Sequence, residues 1–161
     1  MRQTTPAGRW LDAVAGLLLV ALCGCVPRPT VASVSIPPIP AGDGRVWVYR
    51  DYEPSESLNM TAVTMNGAYV GYSQVGGAFY RDVRPGVYHV AVNSYGTDFN
   101  QSTDIAVVPG EQVYIKIESL SDWATDYGRG FTAARDTFYA RLVPIGLARF
   151  EIAQSFYDGG S

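Results

Sequence analysis

The sequence predicts a mostly β fold: an antiparallel β-sandwich or partly open barrel of about seven or eight short strands, followed by a short C-terminal helix. Three observations predict it. Alternation with a period of two begins at Gly44 and recurs at intervals of roughly 8–12 residues. Turn-forming pairs (Asn66-Gly67, Pro85-Gly86, Pro109-Gly110) punctuate the runs. The composition, with 11 Tyr, 17 Gly and only 17% charged residues, suits strands and turns better than long surface helices.

Arg2 and Arg9 form a short basic start, and an apolar run from Ala13 to Leu22 follows. At about ten residues the run is half the roughly 20 needed to span a bilayer, and it fits the apolar core of a signal peptide. Leu22-Cys23-Gly24-Cys25 comes next. It resembles the lipobox of bacterial lipoproteins, with Leu three residues before the acceptor and a small residue just before it. Cys25 satisfies that pattern; Cys23 does not, because Leu22 would occupy the small position. The resemblance implies cleavage between Gly24 and Cys25, a diacylglycerol thioether on Cys25, and an N-acyl chain. Two or more acyl chains make a stable anchor where one is marginal. A spare disulfide is the weaker reading: a Cys-x-Cys pair has poor geometry, and no other cysteine follows.

The expected organisation is a signal peptide (1–24), a lipidated Cys25 with a Pro-rich tether (25–43), a β domain (44–157) and a disordered tail (158–161). Pro27, Pro29, Pro37, Pro38 and Pro40 make the tether an extended spacer that lifts the domain off the bilayer. Ile36 and Ile39 offer it an alternative, docking on the domain. Val26, with no Asp after the acceptor, resembles the default sorting of Gram-negative lipoproteins to the periplasmic face of the outer membrane.

Within the domain, Arg45 to Arg50 alternates Val46 and Val48 with Trp47 and Tyr49. Met60 to Met65 and Ala68 to Tyr72 flank Asn66-Gly67, a strong hairpin signal because both residues tolerate the positive φ of a type I′ turn. Phe79 to Val83 and Val87 to Val92 flank a tight turn at Arg84-Pro85-Gly86, and Ser102 to Val108 and Gln112 to Glu118 flank Pro109-Gly110-Glu111. A last strand spans Thr137 to Val143. Ala148, Ile152 and Phe156 then recur at helical spacing, predicting a helix over Gly146 to Tyr157 that covers a sheet edge.

The stretch from Gly44 to about Val143 resembles the bacterial lipoprotein family known as domain of unknown function 2846. The motifs are Arg45 to Arg50, Met65-Asn-Gly-Ala-Tyr-Val-Gly71, Ala78-Phe-Tyr80, Pro85-Gly-Val-Tyr-His89 and the Pro-Gly-Glu hairpin at Pro109. The turns also resemble those of PEGA-like β-sandwich surface modules. The resemblance implies a sandwich lipoprotein and lends no activity. Ser119 to Asp136 departs from the pattern, being longer and more aromatic.

Charge and motifs narrow the function. The net charge is −3, near −4 once Arg2, Arg9 and Asp12 leave with the signal peptide, and there is no basic run. Nucleic-acid binding and a polybasic hold on anionic lipid are therefore not expected. His89 is the only histidine. A metal site or a Ser-His-Asp triad with Asp82 or Asp104 would rest on it alone, and no Gly-x-Ser-x-Gly elbow is present. Acids that could pair for hydrolysis (Asp51 with Glu53, Glu56, or Asp122 with Asp126) lie in polar loops. No cofactor, metal or enzymatic activity is expected, and a small hydrolase ranks last.

Trp47, Tyr49, Tyr114 and Tyr139 alternate with aliphatic neighbours, so they form either an exposed aromatic face or a second core. Trp123 and Tyr127 mark residues 120–131 as a loop that is either functional or a merely flexible excursion. The expected role is a non-enzymatic, lipid-anchored envelope protein that contacts another envelope protein, using these six aromatics. The rival is a glycan- or peptidoglycan-binding module using the same Tyr and Trp side chains. Replacing the acceptor tests the anchor: Cys25→Ser is expected to leave full-length precursor that takes up no radioactive palmitate, and normal labelling of that variant would refute lipidation.

Overall fold

A computed structural model describes residues 27–53, 56–94, 96, 98–126 and 131–161, with the side chains of 121–135 outside the description. The expected signal peptide, Gly24 and Cys25 lie outside it as well. Nine strands form two sheets. They are β1 (Gly44–Tyr49), β2 (Thr61–Met65), β3 (Ala68–Ser73), β4 (Gly77–Val83), β5 (Gly86–Val92), β6 (Thr103–Val107), β7 (Gln112–Asp126), β8 (Phe131–Val143) and β9 (Phe156–Gly160). One sheet has the order β8-β7-β1-β4-β9 and the other β3-β2-β5-β6, and the two stack as a β-sandwich. A helix, α1 (Ile145–Ala153), lies on the outside of the five-stranded sheet.

The local sequence explains the elements. Asn66 and Gly67 have φ of 50° and 79°, both in the left-handed region, so β2 and β3 close as the expected hairpin. The two Pro-Gly turns do something else. β4 and β5 belong to different sheets, as do β6 and β7, so Pro85-Gly86 and Pro109-Gly110 are corners that carry the chain across the sandwich. The second corner is tied to β1, with Gly110 N–H donating to Asp43 O and Arg45 N–H to Glu111 O. Two pairings are parallel, β1 with β7 and β4 with β9, in an otherwise antiparallel arrangement.

Val46, Val48, Phe79, Ile115, Ile117, Phe138 and Ala140 of the five-stranded sheet meet Val63, Met65, Val90, Ile105 and Val107 of the other to form the central core. The outer face of the five-stranded sheet carries a second core of Trp47, Tyr49, Ala78, Tyr80 and Tyr114, covered by Ala148 and Ile152 of α1. Val31 and Ile36 pack against it too. The Pro-rich segment is therefore docked from Arg28 onward instead of standing free as a stalk. Val31 N–H donates to Ser155 O (2.9 Å), Pro29 O accepts from Tyr157 N–H (2.9 Å), and Pro37 O accepts from Arg45 Nη1 (2.8 Å). Burial of Val31 and Ile36 outweighs the stiffness of the prolines.

The C-terminus also differs from expectation. The helix ends at Ala153, and residues read as a frayed tail form β9, whose last carbonyl, Ser161 O, accepts from Asp82 N–H (2.7 Å). Glycine permits this approach: a Cβ at Gly160 would lie 2.0 Å from Tyr80 Cε1. Residues 120–131 are not simply a loop, since β7 and β8 stay in register out to Asp126 opposite Phe131.

Arg50 closes one end of the sandwich. It is fully buried, and its guanidinium donates to Glu56 Oε2 (2.8 Å), Asn59 O (2.9 Å), Ser57 O and Ser119 Oγ (3.1 Å). Ser119 Oγ donates in turn to Glu56 Oε2 (2.6 Å), and Ser57 and Asn59 both bond Asp136. Removing one partner of such a pair strands the other without water. Arg50→Ala is expected to cost about 3–5 kcal/mol in urea unfolding, and a loss below about 1 kcal/mol would show that the cluster does not hold the loop.

Candidate functional site

Of the aromatics read as either an exposed face or a second core, Trp47, Tyr49 and Tyr114 form the second core and Tyr139 is buried elsewhere. Trp47, Tyr49 (1% exposed), Tyr80 and Tyr114 sit beneath α1, and their polar tips are satisfied there. Trp47 Nε1 donates to Gln112 Oε1 (2.9 Å), Tyr114 OH donates to the same oxygen (3.1 Å), and Tyr49 OH donates to Glu151 Oε2 (2.6 Å). Tyr139 is buried separately, its hydroxyl donating to Asp98 Oδ2 (2.6 Å) under the Arg141 guanidinium. Trp47, Tyr49, Tyr114 and Tyr139 are thus removed from any contact surface, because α1 and the 98–101 turn cover what the strand alternation left open. Tyr127 and the Trp123 side chain lie outside the described residues; the Trp123 backbone pairs with Ala134.

Two other surfaces remain accessible. The first is the outer face of the four-stranded sheet, which no helix covers among the described residues. Val63, Met65, Val90, Ile105 and Val107 point into the core, so Ala62, Thr64, Val87, His89, Ala91, Asp104 and Ala106 point out. A bulge in β3 opposite Val63 and Thr64 sets Tyr72 across from Ala62 and Tyr69 across from Thr64. Both tyrosines therefore stand on the exposed side of the edge strand, 57% and 56% accessible, with rings 5.3 Å apart at 62°. Exposed Met60 lies beside them. His89 Nδ1 meets Asp104 Oδ1 at 2.7 Å across this face, both side chains being largely in solvent.

The second is a groove of about 570 Å³ on the opposite side of the sandwich, between α1, the start of β9 and the segment after β1. Tyr52 (77% exposed), Phe150 (69%) and Phe156 form its apolar walls, and Asp51, Glu53 and Glu151 line it as well. Two of its acids are engaged by one lysine. Lys116 Nζ is bonded to Asp51 Oδ2 and lies 3.2 Å from Glu151 Oε1, so one ammonium serves both carboxylates. Burial lowers the Lys116 pKa, but these two partners more than offset it and leave the ammonium favoured. Glu56, counted among the candidate acids, belongs to the Arg50 cluster.

Among the described residues no three potential metal ligands cluster, and no helix is long and apolar enough to cross a membrane. Compared with protein-family models, curated proteins and solved structures, the chain matches none. Sequence reasoning missed Tyr69, Tyr72, Tyr52 and Phe150 as surface aromatics. The signal for the first pair, a Tyr-x-x-Tyr spacing in a strand, reads as opposite faces unless a bulge is present.

The buried phenol gives a pH test. Burial first, then the Glu151 carboxylate, raises the Tyr49 pKa above the ordinary value near 10. The folded state then holds a proton that the unfolded chain releases, so this contribution to stability is intact below about pH 10 and is lost as pH rises beyond it. Phenolate absorbance near 295 nm is expected to show Tyr49 ionising only with alkaline unfolding. Because Tyr139 and Tyr157 are also raised, the Tyr49→Phe variant is expected to lower the amplitude of that late step by one phenol, and an unchanged amplitude would place the resistant phenol elsewhere.

Proposed function

We propose that this chain is a non-enzymatic, lipid-anchored cell-envelope protein that docks another envelope protein on the open face of its four-stranded sheet. The observation that carries this reading is the contrast between the two outer sheet faces. The five-stranded sheet buries its outer aromatics under α1, whereas the other leaves small, mostly uncharged residues flanked by two tyrosines and a methionine in solvent. Such residues lose little side-chain entropy on docking, and tyrosines supply rigid contact area. The Leu22-Cys23-Gly24-Cys25 motif supports the anchor, and the turn motifs similar to those of the 2846 lipoproteins support the same class.

A glycan partner is the second reading, and it rests on the same two tyrosines. Sugar stacking is best served by rings in one plane. At 62° Tyr69 and Tyr72 offer no shared platform, which favours protein. A photoreactive phenylalanine analogue at position 72, irradiated in living cells, is expected to yield one defined envelope-protein adduct that disappears when Tyr69→Asp is added. Tyr69 is more than half exposed, so that substitution leaves the fold within about 0.5 kcal/mol of the parent. No adduct above that from a photoprobe at Arg84 would refute protein docking, and sedimentation with purified peptidoglycan would then decide the glycan reading.

A further inference from the structure

We infer that the groove face bearing Tyr52, Leu147, Phe150 and Phe156 rests on the phospholipid surface, so that the domain lies flush with the membrane. This rests on the lipid-anchored reading of Cys25 and goes beyond it, because an anchor alone fixes neither height nor orientation.

The height follows from where the docked chain begins. Arg28 Nη1 donates to Gln74 Oε1 (3.3 Å), and its guanidinium lies 6.0 Å from the centre of the Phe156 ring. Thr30 bridges Phe156 itself, and Pro29 O is bonded to Tyr157 N–H. From Arg28 onward the chain is thus part of the domain. Only Val26 and Pro27 separate Cys25 from Arg28, and the three residue-to-residue steps span about 10–11 Å when fully extended. The lipidated sulfur therefore cannot stand far from Phe156.

The orientation follows from what surrounds that point. Phe156 and Tyr52 flank Gly76, and Phe150 lines the same groove. Leu147, about half exposed, lies one helical turn before Phe150 on the same side of α1. The helix is thus apolar on its outer side as well as beneath, an arrangement that leaves two bulky side chains without cover in a fully aqueous protein. Aromatic residues with Tyr among them are the groups that settle at the headgroup boundary. Asp51 and Glu151 share the single Lys116 and Glu53 stays exposed, so the apolar contact acts against a groove that is net negative, while Arg28 stands at the rim with a long stem suited to reaching phosphate.

The test uses the mature lipoprotein purified from cells and placed in vesicles of phosphatidylethanolamine with a minority of phosphatidylglycerol. Thioether formation leaves Cys25 without a free thiol, so a single introduced cysteine takes an environment-sensitive dye. The dye on Phe150→Cys, and separately on Leu147→Cys, is expected to brighten roughly twofold or more on reconstitution, and to be quenched by spin-labelled lipid. The dye on Thr64→Cys of the open face is expected to change in neither respect. Intact mass reports the lipid on Cys25 independently. A lipidated protein whose dyes at 147 and 150 stay water-exposed would overturn the orientation while sparing the anchor. Brightening that spin-labelled lipid does not quench would put protein, a second copy included, on this face and would equally overturn it. Absence of the lipid mass would remove the anchor and the inference with it.

Discussion

Every residue of β1 is buried, and the remaining architecture follows from the need to cover both of its faces. Val46 and Val48 face the four-stranded sheet, while Trp47 and Tyr49 face outward and demand a third layer. Aromatic side chains of this size bury roughly 150–250 Å² each, which is ample to order a helix and an extended segment over them. Helix α1 and residues 31–36 supply that layer. β1 also sits at the centre of the five-stranded sheet, between β4 and β7, so it has no free edge.

A buried arginine stands at each end of the same strand. Arg45, at the start, makes a paired contact with Asp82 (2.6 and 2.7 Å), donates to Pro37 O and lies 3.9 Å from the centre of the Tyr80 ring. Arg50, just past the end, gathers the 56–59 segment onto β7. The flat, many-donor guanidinium suits both tasks, because each site offers several acceptors from a strand and from irregular chain together: Asp82 with Pro37 at Arg45, and Ser119 with Glu56, Ser57 and Asn59 at Arg50. The strand thus organises the layers through its apolar faces and the non-repetitive chain through its polar ends. Both accessible surfaces inherit this order: the groove is built on the segment leaving Arg50, and the open face backs the core that β1 helps fill.

The strands were legible in the sequence wherever local chemistry set them. Asn66-Gly67 encodes its own backbone angles, and the runs around it alternate cleanly. The Pro-Gly corners were harder, because turn residues dictate a change of direction but not which sheet receives the next strand. Parallel partners such as β1 with β7 depend on meetings between distant segments and leave no local trace. The alternation in Arg45 to Arg50 was correct in period and open in meaning: aliphatic against aromatic signals two interiors, whereas aliphatic against polar signals one. The tail was misread for a compositional reason. Gly159 and Gly160 look flexible in isolation, yet Gly160 is what the Tyr80 ring leaves room for. The surface tyrosines were hidden by the bulge, which shifts the parity of one strand.

The contact between Thr30 and Phe156 joins almost the first described residue to almost the last. Pairings that distant are the slowest to form, since most of the chain must be in place before they are rewarded. Val31 and Ile36 can settle on the second core earlier, but the chain at Pro29 and Thr30 has its backbone partners only in Phe156 and Tyr157. The five-stranded sheet acquires its β9 edge, and the chain at Pro29 and Thr30 its fixed position, only once residues 156–160 are in place, so folding of that strand is the event that draws the amino-terminal segment in.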